Sequence, residues 1–275
     1  MSEAARAPGG VSHEHPRNLA HHFDDPAQQV EAGKLGMWLF LAQEVLFFGG
    51  LFAAYAYFRA HDPEMFHYAH KMLNWKLGAF NTLVLICSSL TMAWGVRLAQ
   101  LGKRRGLVWM LILTLVFATV FLGVKYVEYK EKFEHQLLWG RSYNPDPHVL
   151  EEHGIPEEVA VASLPSGPAA DAPVAPASDA APVAGDAGAG QPEPVEVIPR
   201  PPQNLHIFFG IYFALTGLHG LHVLIGMGVI GWVLMRAARG DFGPDYFTPV
   251  DMVGLYWHLV DLIWIFLFPL LYLIS

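Results

Sequence analysis

Five long apolar blocks, separated by polar stretches, dominate the pattern of hydrophobic and polar positions along this 275-residue chain. Each block is long enough to cross the hydrocarbon core of a bilayer as a helix, which takes about 20 mainly apolar residues. The apolar runs are continuous rather than alternating, so they predict helices and not the strands of a membrane barrel. The blocks comprise residues 35–58, 77–98, 107–129, 205–235 and 250–274. We therefore predict an all-α membrane protein with a bundle of five transmembrane helices.

Basic residues in the short connections orient the predicted bundle. The connection between the second and third blocks contains basic residues and no acidic one: Arg97, Lys103, Arg104 and Arg105. The connection between the fourth and fifth blocks contains Arg236 and Arg239. Both connections lie on the same side of the membrane, which the positive-inside rule assigns to the cytoplasm. The prediction is an N-terminus inside and a C-terminus outside.

The blocks divide the chain into four segments. Residues 1–33 are predicted to form a polar, His-rich cytoplasmic tail, whose histidines have no fixed ligand spacing, and residues 34–139 hold the first three transmembrane helices. Residues 140–203 form an external linker rich in proline and alanine. The linker has almost no large apolar side chain to bury, which predicts disorder. Residues 204–275 hold the last two helices.

Composition removes several classes of protein. Charged residues make up 15% of the chain and hydrophobic residues 53%, whereas a soluble domain carries about 25% charged residues. Cys87 is the only cysteine, which excludes an intrachain disulfide and a cysteine metal cluster within the chain. Outside the apolar blocks there is no basic run with interleaved aromatic residues, so nucleic acid is not an expected partner.

A single carboxyl stands near the middle of the first block. Glu44, in LFLAQEVLFFGG, lies about 14 Å from the start of its predicted span at a rise of about 1.5 Å per residue. A charge at that depth costs at least about 2.5–3.5 kcal/mol. Desolvation favours the neutral acid, because no lysine or arginine lies in the central part of any block. Glu44 is therefore either a proton-exchangeable carboxyl or a neutral acid that hydrogen-bonds across a helix interface.

Two later blocks carry polar residues at helical spacing. His219 and His222 stand three positions apart in TGLHGLHVLIG, and so do His258 and Asp261 in YWHLVDLIW. Residues at this spacing share one helix face. The two histidines either bind a metal, for which only His258 and Asp261 could complete the ligand set, or hydrogen-bond across helices. His258 and Asp261 form either a pair packed against another helix or a proton relay.

The end of the third block is also polar. Tyr129 is expected to anchor the helix at the membrane interface. Glu128 is expected at a solvated helix end, where it could pair with Lys125 or Lys132 for a few tenths of a kcal/mol. No phosphate loop, nucleophile elbow or zinc-protease motif occurs in the sequence. These residues alone leave open a transporter, a proton-handling subunit and a scaffold.

Five motifs in chain order resemble subunit III of the haem–copper oxidases, in the cytochrome c oxidase branch and in its five-helix form. They are KLGMWLFLAQEVLFFGGLF, NTLVLICSSLTMAW, YVEYKE, TGLHGLHVLIG and LYWHLVDLIWIFLF. The chain departs from the seven-helix form of the family, because nothing corresponds to the first two helices. Subunit III of the ubiquinol oxidases and a nitric-oxide-reductase-associated relative share the five-helix layout and are the alternatives within this resemblance.

The resemblance implies a non-catalytic subunit of an aerobic terminal oxidase that reduces oxygen and translocates protons. Haem and copper would belong to partner subunits, and this chain would hold structural phospholipid but no metal. The implied partners are subunit I by direct helix packing, subunit II in the same complex, and cytochrome c as electron donor. The implied roles are to stabilise subunit I, bind lipid and support proton uptake, in a bacterial plasma membrane. An independent proton or solute transporter is the alternative of another class, but the sequence has no inverted repeat or broken helix of the kind that such transporters use.

The resemblance also implies roles for single residues. Glu44 matches the buried carboxyl of the family that reacts with hydrophobic carbodiimides. Arg236 and Arg239 match a basic pair that binds lipid phosphate, and we group Glu128 and Tyr129 with them as lipid-binding residues. A further set is expected to form a cross-helix polar network and not a metal site: His219, His222, His258 and Asp261.

Overall fold

A computed structural model describes residues 23–135, 137 and 205–274. The His-rich tail up to residue 22 and the linker at 140–203 lie outside the described residues. Six α-helices occur in the described part: α1 (Pro26–His61), α2 (Pro63–Ala69), α3 (Trp75–Gln100), α4 (Arg104–Glu134), α5 (Leu205–Arg239) and α6 (Thr248–Tyr272). A 3-10 turn, His70–Met72, follows α2. No β-strand is present among the described residues.

The five predicted membrane helices are confirmed. Among the residues described, α1, α3, α4, α5 and α6 are long and apolar enough to cross a membrane. The chain is thus a multi-pass membrane protein by helix length and composition, whereas the direction of insertion stays a prediction. Most helices run further than the apolar blocks, because a helix continues through polar residues at the membrane surface. The start of α1 at Pro26 lies inside the segment assigned to the tail, and α6 ends at Tyr272, short of the predicted residue 274.

Glycine ends two of the helices in the same way. Gly102 after α3 and Gly240 after α5 have φ angles of 67° and 91°, in the left-handed region that glycine adopts without a steric cost. After α3, the Lys103 N–H donates to the Leu98 carbonyl at 2.9 Å, and the Gly102 N–H donates to the Ala99 carbonyl at 3.0 Å. This pair of hydrogen bonds is a Schellman motif, which satisfies the last carbonyls of a helix and reverses the chain.

The chain divides into two compact units. The first unit combines the described residues up to Leu51 with Thr82–Phe121 and His219–Ile265. The second unit combines Phe52–Asn81, the described residues from Leu122 to Leu218, and those from Phe266 onward. Each long helix therefore contributes one stretch to each unit.

Aromatic side chains form the core of the first unit. Trp257 and Trp264 on α6 are almost fully buried, and they lie one helical repeat apart. The Trp257 indole N–H donates to the Ser88 hydroxyl on α3 at 3.1 Å, and the Trp264 indole N–H donates to Thr82 at 3.1 Å. These bonds supply the partner that a buried indole N–H needs.

The core of the second unit contains the short helix α2. Phe66 is fully buried and contacts Tyr55 of α1 and Phe208 of α5 edge-on, with ring centroids 5.1 and 5.3 Å apart. The Tyr55 hydroxyl donates to the Leu270 carbonyl of α6. The sequence did not predict α2, because a seven-residue helix is too short to show a hydrophobic period.

A close helix contact at Gly226 gives a first testable prediction. A Cβ at this position of α5 would lie 2.8 Å from the Trp257 ring, whereas a Cβ at Gly228 would meet no atom within 4 Å. Overpacking a core costs about 1–3 kcal/mol, so we expect Gly226→Ala to lower the melting temperature of the detergent-purified protein. Gly228→Ala is the matched control on the same helix and should not lower it. Equal melting temperatures for the two variants would contradict the contact.

Candidate functional site

Glu44 lies at the centre of a polar contact between α1 and α5. Its Oε2 is 3.1 Å from Nε2 of His222, and Glu44 is 8% exposed. Phe48 stands one turn further along α1, on the same face, and its ring packs edge-on against the His222 ring at 5.3 Å. The Tyr256 hydroxyl of α6 donates to the backbone carbonyl of His222 at 2.9 Å. Side chains from three helices thus hold the carboxyl and the imidazole in register.

A single hydrogen bond joins the Glu44 carboxyl and the His222 imidazole. Either the acid donates to a neutral imidazole, or the imidazole donates to the acid, depending on the tautomer and charge of His222. Both arrangements keep the contact. The hydrophobic surroundings make an uncompensated charge costly. The contact therefore joins α1 to the rest of the first unit.

His219 lies three positions before His222 on α5 and packs against other aromatic side chains. Its ring packs edge-on against Phe121 at 5.6 Å and tilted against Trp264 at 5.1 Å. It is fully buried between these aromatic rings. The two histidines thus pack against different aromatic rings, His222 against Phe48 and His219 against Phe121 and Trp264.

His258 bonds across helices to α3. Its Nδ1 is 2.7 Å from the Ser89 hydroxyl oxygen, and the Ser89 hydroxyl also lies beside the Asp261 carboxyl. Asp261 is 5% exposed. A direct hydrogen bond between His258 and Asp261 is not found among the described residues; Ser89 lies between them. The sequence did not single out Ser89, since a serine in a membrane helix carries no strong signal on its own.

The second unit contains a buried charged cluster that the sequence did not predict. The Lys125 ammonium donates to Oε2 of Glu128 at 2.9 Å, to the Tyr272 hydroxyl at 2.8 Å and to the Tyr212 hydroxyl at 3.3 Å. Tyr272 and Tyr212 donate to Oε1 of Glu128 at 2.6 and 2.9 Å. We call these four residues the Lys125 cluster. It joins α4, α5 and α6, and each charge is met by hydrogen bonds, as burial requires.

The expectation of a solvated helix end at Glu128 is therefore wrong. Glu128 is 1% exposed, and both carboxylate oxygens are bonded within the protein, which leaves no surface for a lipid headgroup. Tyr129 points elsewhere, and its hydroxyl is 2.6 Å from that of Thr216. The signal that could have located the cluster is the pair of Lys125 and Glu128 at helical spacing inside an apolar helix.

A second buried lysine ties the first connection to α4. Lys132 is 3% exposed, and its ammonium donates to the Met72 carbonyl at 2.8 Å. In the same connection, Nδ1 of His70 lies 3.2 Å from the Phe66 carbonyl. Burial lowers the pKa of His70, and its hydrogen bond to the Phe66 carbonyl opposes this shift. Backbone carbonyls of the connection thus accept the hydrogen bonds of Lys132 and His70.

Arg236 lies at the end of α5 among aromatic rings. Its guanidinium is 5.0 Å from the Phe242 ring centroid and 5.1 Å from that of Trp232. Its Nε donates to Asp241 at 3.0 Å. Arg239, in the last turn of the same helix, is exposed. The structure places both cations at a helix C-terminus, where the helix dipole favours positive charge.

An apolar groove of about 480 Å³ runs along α4 and α5 in the second unit. Small residues form part of its lining, and aromatic side chains form the rest: Tyr129, Phe133, Gly210, Phe213, Ala214 and Gly217. Its apolar walls suit a hydrocarbon chain. Of the predicted lipid-binding residues, only Tyr129 lines it.

Comparison with known proteins places these residues in a family. The family model for cytochrome c oxidase subunit III matches residues 20–134 and 205–275. The chain belongs to the cytochrome c oxidase subunit III family. The matched ranges contain every site residue described above. They omit residues 135–204, which include the linker. The resemblance to subunit III of the haem–copper oxidases is thereby confirmed.

Individual relatives are named as subunits of cytochrome c, quinol or heme-copper oxidases. A cytochrome c oxidase subunit 3 of Thermostichus vulcanus is 28% identical over 242 residues, covering 88% of this chain and 87% of the relative. A probable quinol oxidase subunit 3 of Staphylococcus haemolyticus is 22% identical, covering 92% of this chain and 94% of the relative. A heme-copper oxidase subunit I+III of Aeropyrum pernix is 25% identical over 92% of this chain, which matches 24% of that longer protein. This subunit III family member is thus similar to separate subunits and to part of a fused protein.

Proposed function

We propose that this chain is the non-catalytic subunit III of an aerobic terminal oxidase of the cytochrome c type. The family match over both described parts of the chain carries this proposal. The proposed roles are to stabilise subunit I, to bind phospholipid and to support proton uptake during oxygen reduction. Relatives from bacteria favour a bacterial plasma membrane as its location.

The proposed partners are subunit I, by direct helix packing, and subunit II in the same complex. The relative named heme-copper oxidase subunit I+III supports subunit I, because one polypeptide carries both names in that organism. Haem and copper would reside in the partner subunits and supply the redox chemistry there. The residues of this chain would act on helix packing, lipid and protons.

Cytochrome c is the proposed electron donor to the complex. The relatives named cytochrome c oxidase subunit 3 reach 28% identity, against 22% for the relative named as a quinol oxidase subunit. The quinol oxidase is the second candidate, since that relative is matched over 94% of its length. The roles proposed for this chain are the same in a cytochrome c oxidase and in a quinol oxidase.

Glu44 is the proposed proton-exchanging group. Its contact with His222 gives the carboxyl a partner that can take or return a proton within a 3.1 Å contact. The cross-helix bonds of His258 and the packing of His219 would hold the surrounding helices in place.

Phospholipid is the proposed resident ligand. Arg239 is exposed and offers its charge to a phosphate at the membrane surface, whereas the charge of Arg236 is already balanced by Asp241. Separately, the groove beside Tyr129 offers apolar walls to an acyl chain. A basic residue at the headgroup level and an apolar groove are the two features by which membrane proteins hold lipids.

Affinity purification through this chain in a mild detergent tests the proposed function. We expect subunits I and II to co-purify and the visible spectrum to show haem, and the identity of subunit II to separate a cytochrome c oxidase from a quinol oxidase. A colourless chain that purifies alone and remains folded would contradict the proposal. That outcome would favour an independent transporter, with Glu44 as its candidate proton site.

A further inference from the structure

The Ser89–His258 contact leaves one ring nitrogen of His258 open. Ser89 occupies Nδ1 at 2.7 Å, and within the described part of the chain His258 has no other hydrogen-bond partner. His258 is only partly buried, and Nε2 is not among the fully enclosed polar atoms. The imidazole therefore presents a hydrogen-bonding atom toward the surroundings of the first unit.

The neighbouring acid has an unused oxygen as well. Asp261 is 5% exposed, and its Oδ1 has no hydrogen-bond partner among the described residues. Buried carboxyl oxygens in folded proteins nearly always have one. Asp261, Ser89 and His258 thus form a short polar chain whose bonding is incomplete at both ends.

The depth of this polar chain makes the missing bonds costly. His258 lies ten residues after Thr248, about 15 Å along a helix of 25 residues. The side chains beside it are apolar and open to the exterior, with Ile86 of α3 48% exposed and Leu262 of α6 50% exposed. Hydrocarbon cannot bond to an imidazole nitrogen, and a lipid headgroup stays near the surface. Polar groups at this depth are normally met by another helix.

We propose that Ile86, Ser89, His258 and Leu262 form a docking face for a transmembrane helix of oxidase subunit I. That helix would carry a polar side chain that hydrogen-bonds to Nε2 of His258. Two observations favour subunit I as the occupant: the open nitrogen needs a hydrogen-bonding partner within the membrane, and one relative is named as subunits I and III together. The inference rests on the proposed function, because it takes subunit I as the partner. We call these four residues the α3–α6 face.

Site-specific photo-crosslinking in the assembled complex tests the docking face. A benzophenone amino acid replaces Leu262 in one variant and Trp109 in the control. Trp109 lies on α4 in the same unit and is 66% exposed. We expect the probe at position 262 to crosslink to subunit I at several-fold higher yield than the probe at 109. Equal yields, or crosslinks from 262 only to lipid, to another subunit or to a second copy of this chain, would overturn the inference.

Substitution of His258 tests the hydrogen bond itself. Polar contacts between membrane helices change affinity by roughly three- to fifteen-fold. We expect His258→Leu to increase the loss of subunit I during detergent washing by a factor in this range. His258→Gln, which retains a side-chain amide, should recover most of the retention. Unchanged retention in His258→Leu would overturn the proposed bond, and where that variant fails to fold, the crosslinking result decides.

The two proposals fail in different ways. If haem and subunit I never co-purify with the wild-type chain, the proposed function is wrong and the docking face is wrong with it. If they co-purify but the probe at position 262 does not reach subunit I, the proposed function stands and only the docking face is wrong.

Discussion

Glu128→Leu is expected to destabilise the protein by about 3–5 kcal/mol, because it removes one partner of a buried ion pair. The Lys125 ammonium, which is 6% exposed in the wild type, would lose its carboxylate partner and keep the two phenol oxygens of the Lys125 cluster. The same change also leaves the Tyr212 and Tyr272 hydroxyls without their acceptor. The measurement is the thermal or denaturant unfolding of the chain in detergent, together with its yield in membranes.

Two controls separate the buried charge from general damage. The double variant Lys125→Met with Glu128→Leu removes both charges, so it should recover the part of the lost stability that comes from the unpaired ammonium, while the two tyrosine hydroxyls still lack the carboxylate. Glu134→Gln breaks the Lys130–Glu134 pair, which is more than 60% exposed on both sides, and should change stability by less than about 1 kcal/mol. A Glu128→Leu variant as stable as Glu134→Gln would show that the cluster does not hold the helices together.

Glu44→Lys is expected to prevent assembly of the oxidase. A lysine at the centre of a membrane helix costs about 2.5–3.5 kcal/mol on insertion, and here it would also lose the contact with His222. Glu44 stands near the middle of the 36-residue helix α1, too far from either end for a lysine to reach the surface easily. The measurement is the amount of haem-containing complex recovered through this chain from equal quantities of membrane.

Glu44→Gln is the matched control for that charge. The amide oxygen accepts a hydrogen bond from His222, so the variant should assemble like the wild type. It should lose the reaction with hydrophobic carbodiimides, which needs the acid. Recovery of normal amounts of complex with Glu44→Lys would contradict the buried position of Glu44.

The membrane helices could be predicted from the sequence because each corresponds to one continuous run of mainly apolar residues. Local composition alone determines such an element, since a backbone in lipid must satisfy its own hydrogen bonds. The ends were less predictable. The third apolar block ends at residue 129, yet α4 continues to Glu134, and on this extension Lys132 is buried against the Met72 carbonyl.

The partners of the polar residues could not be predicted. Glu44 stood out from its depth, but nothing local indicates that His222, 178 positions away, is its partner. His258 was expected to bond across helices, and Ser89 lies 169 positions from it. Glu128 looked solvated because its nearest charges are on the same helix, while Tyr212 and Tyr272 are 84 and 144 positions away. Depth can be inferred from one sequence, whereas pairing depends on how the helices assemble.

The contact between Glu44 and His222 also has a consequence for synthesis. Helix α1 is made first, and the ribosome must add 178 further residues before the imidazole exists. At about 5–20 residues per second, that takes roughly 9–36 seconds. During this interval Glu44 is in the membrane and His222 has not yet been synthesised. Even in the finished fold, only 11% of the most apolar stretch of α1 is buried. A carboxylic acid can be neutral in the bilayer during this interval, whereas a permanently charged side chain at the same position could not.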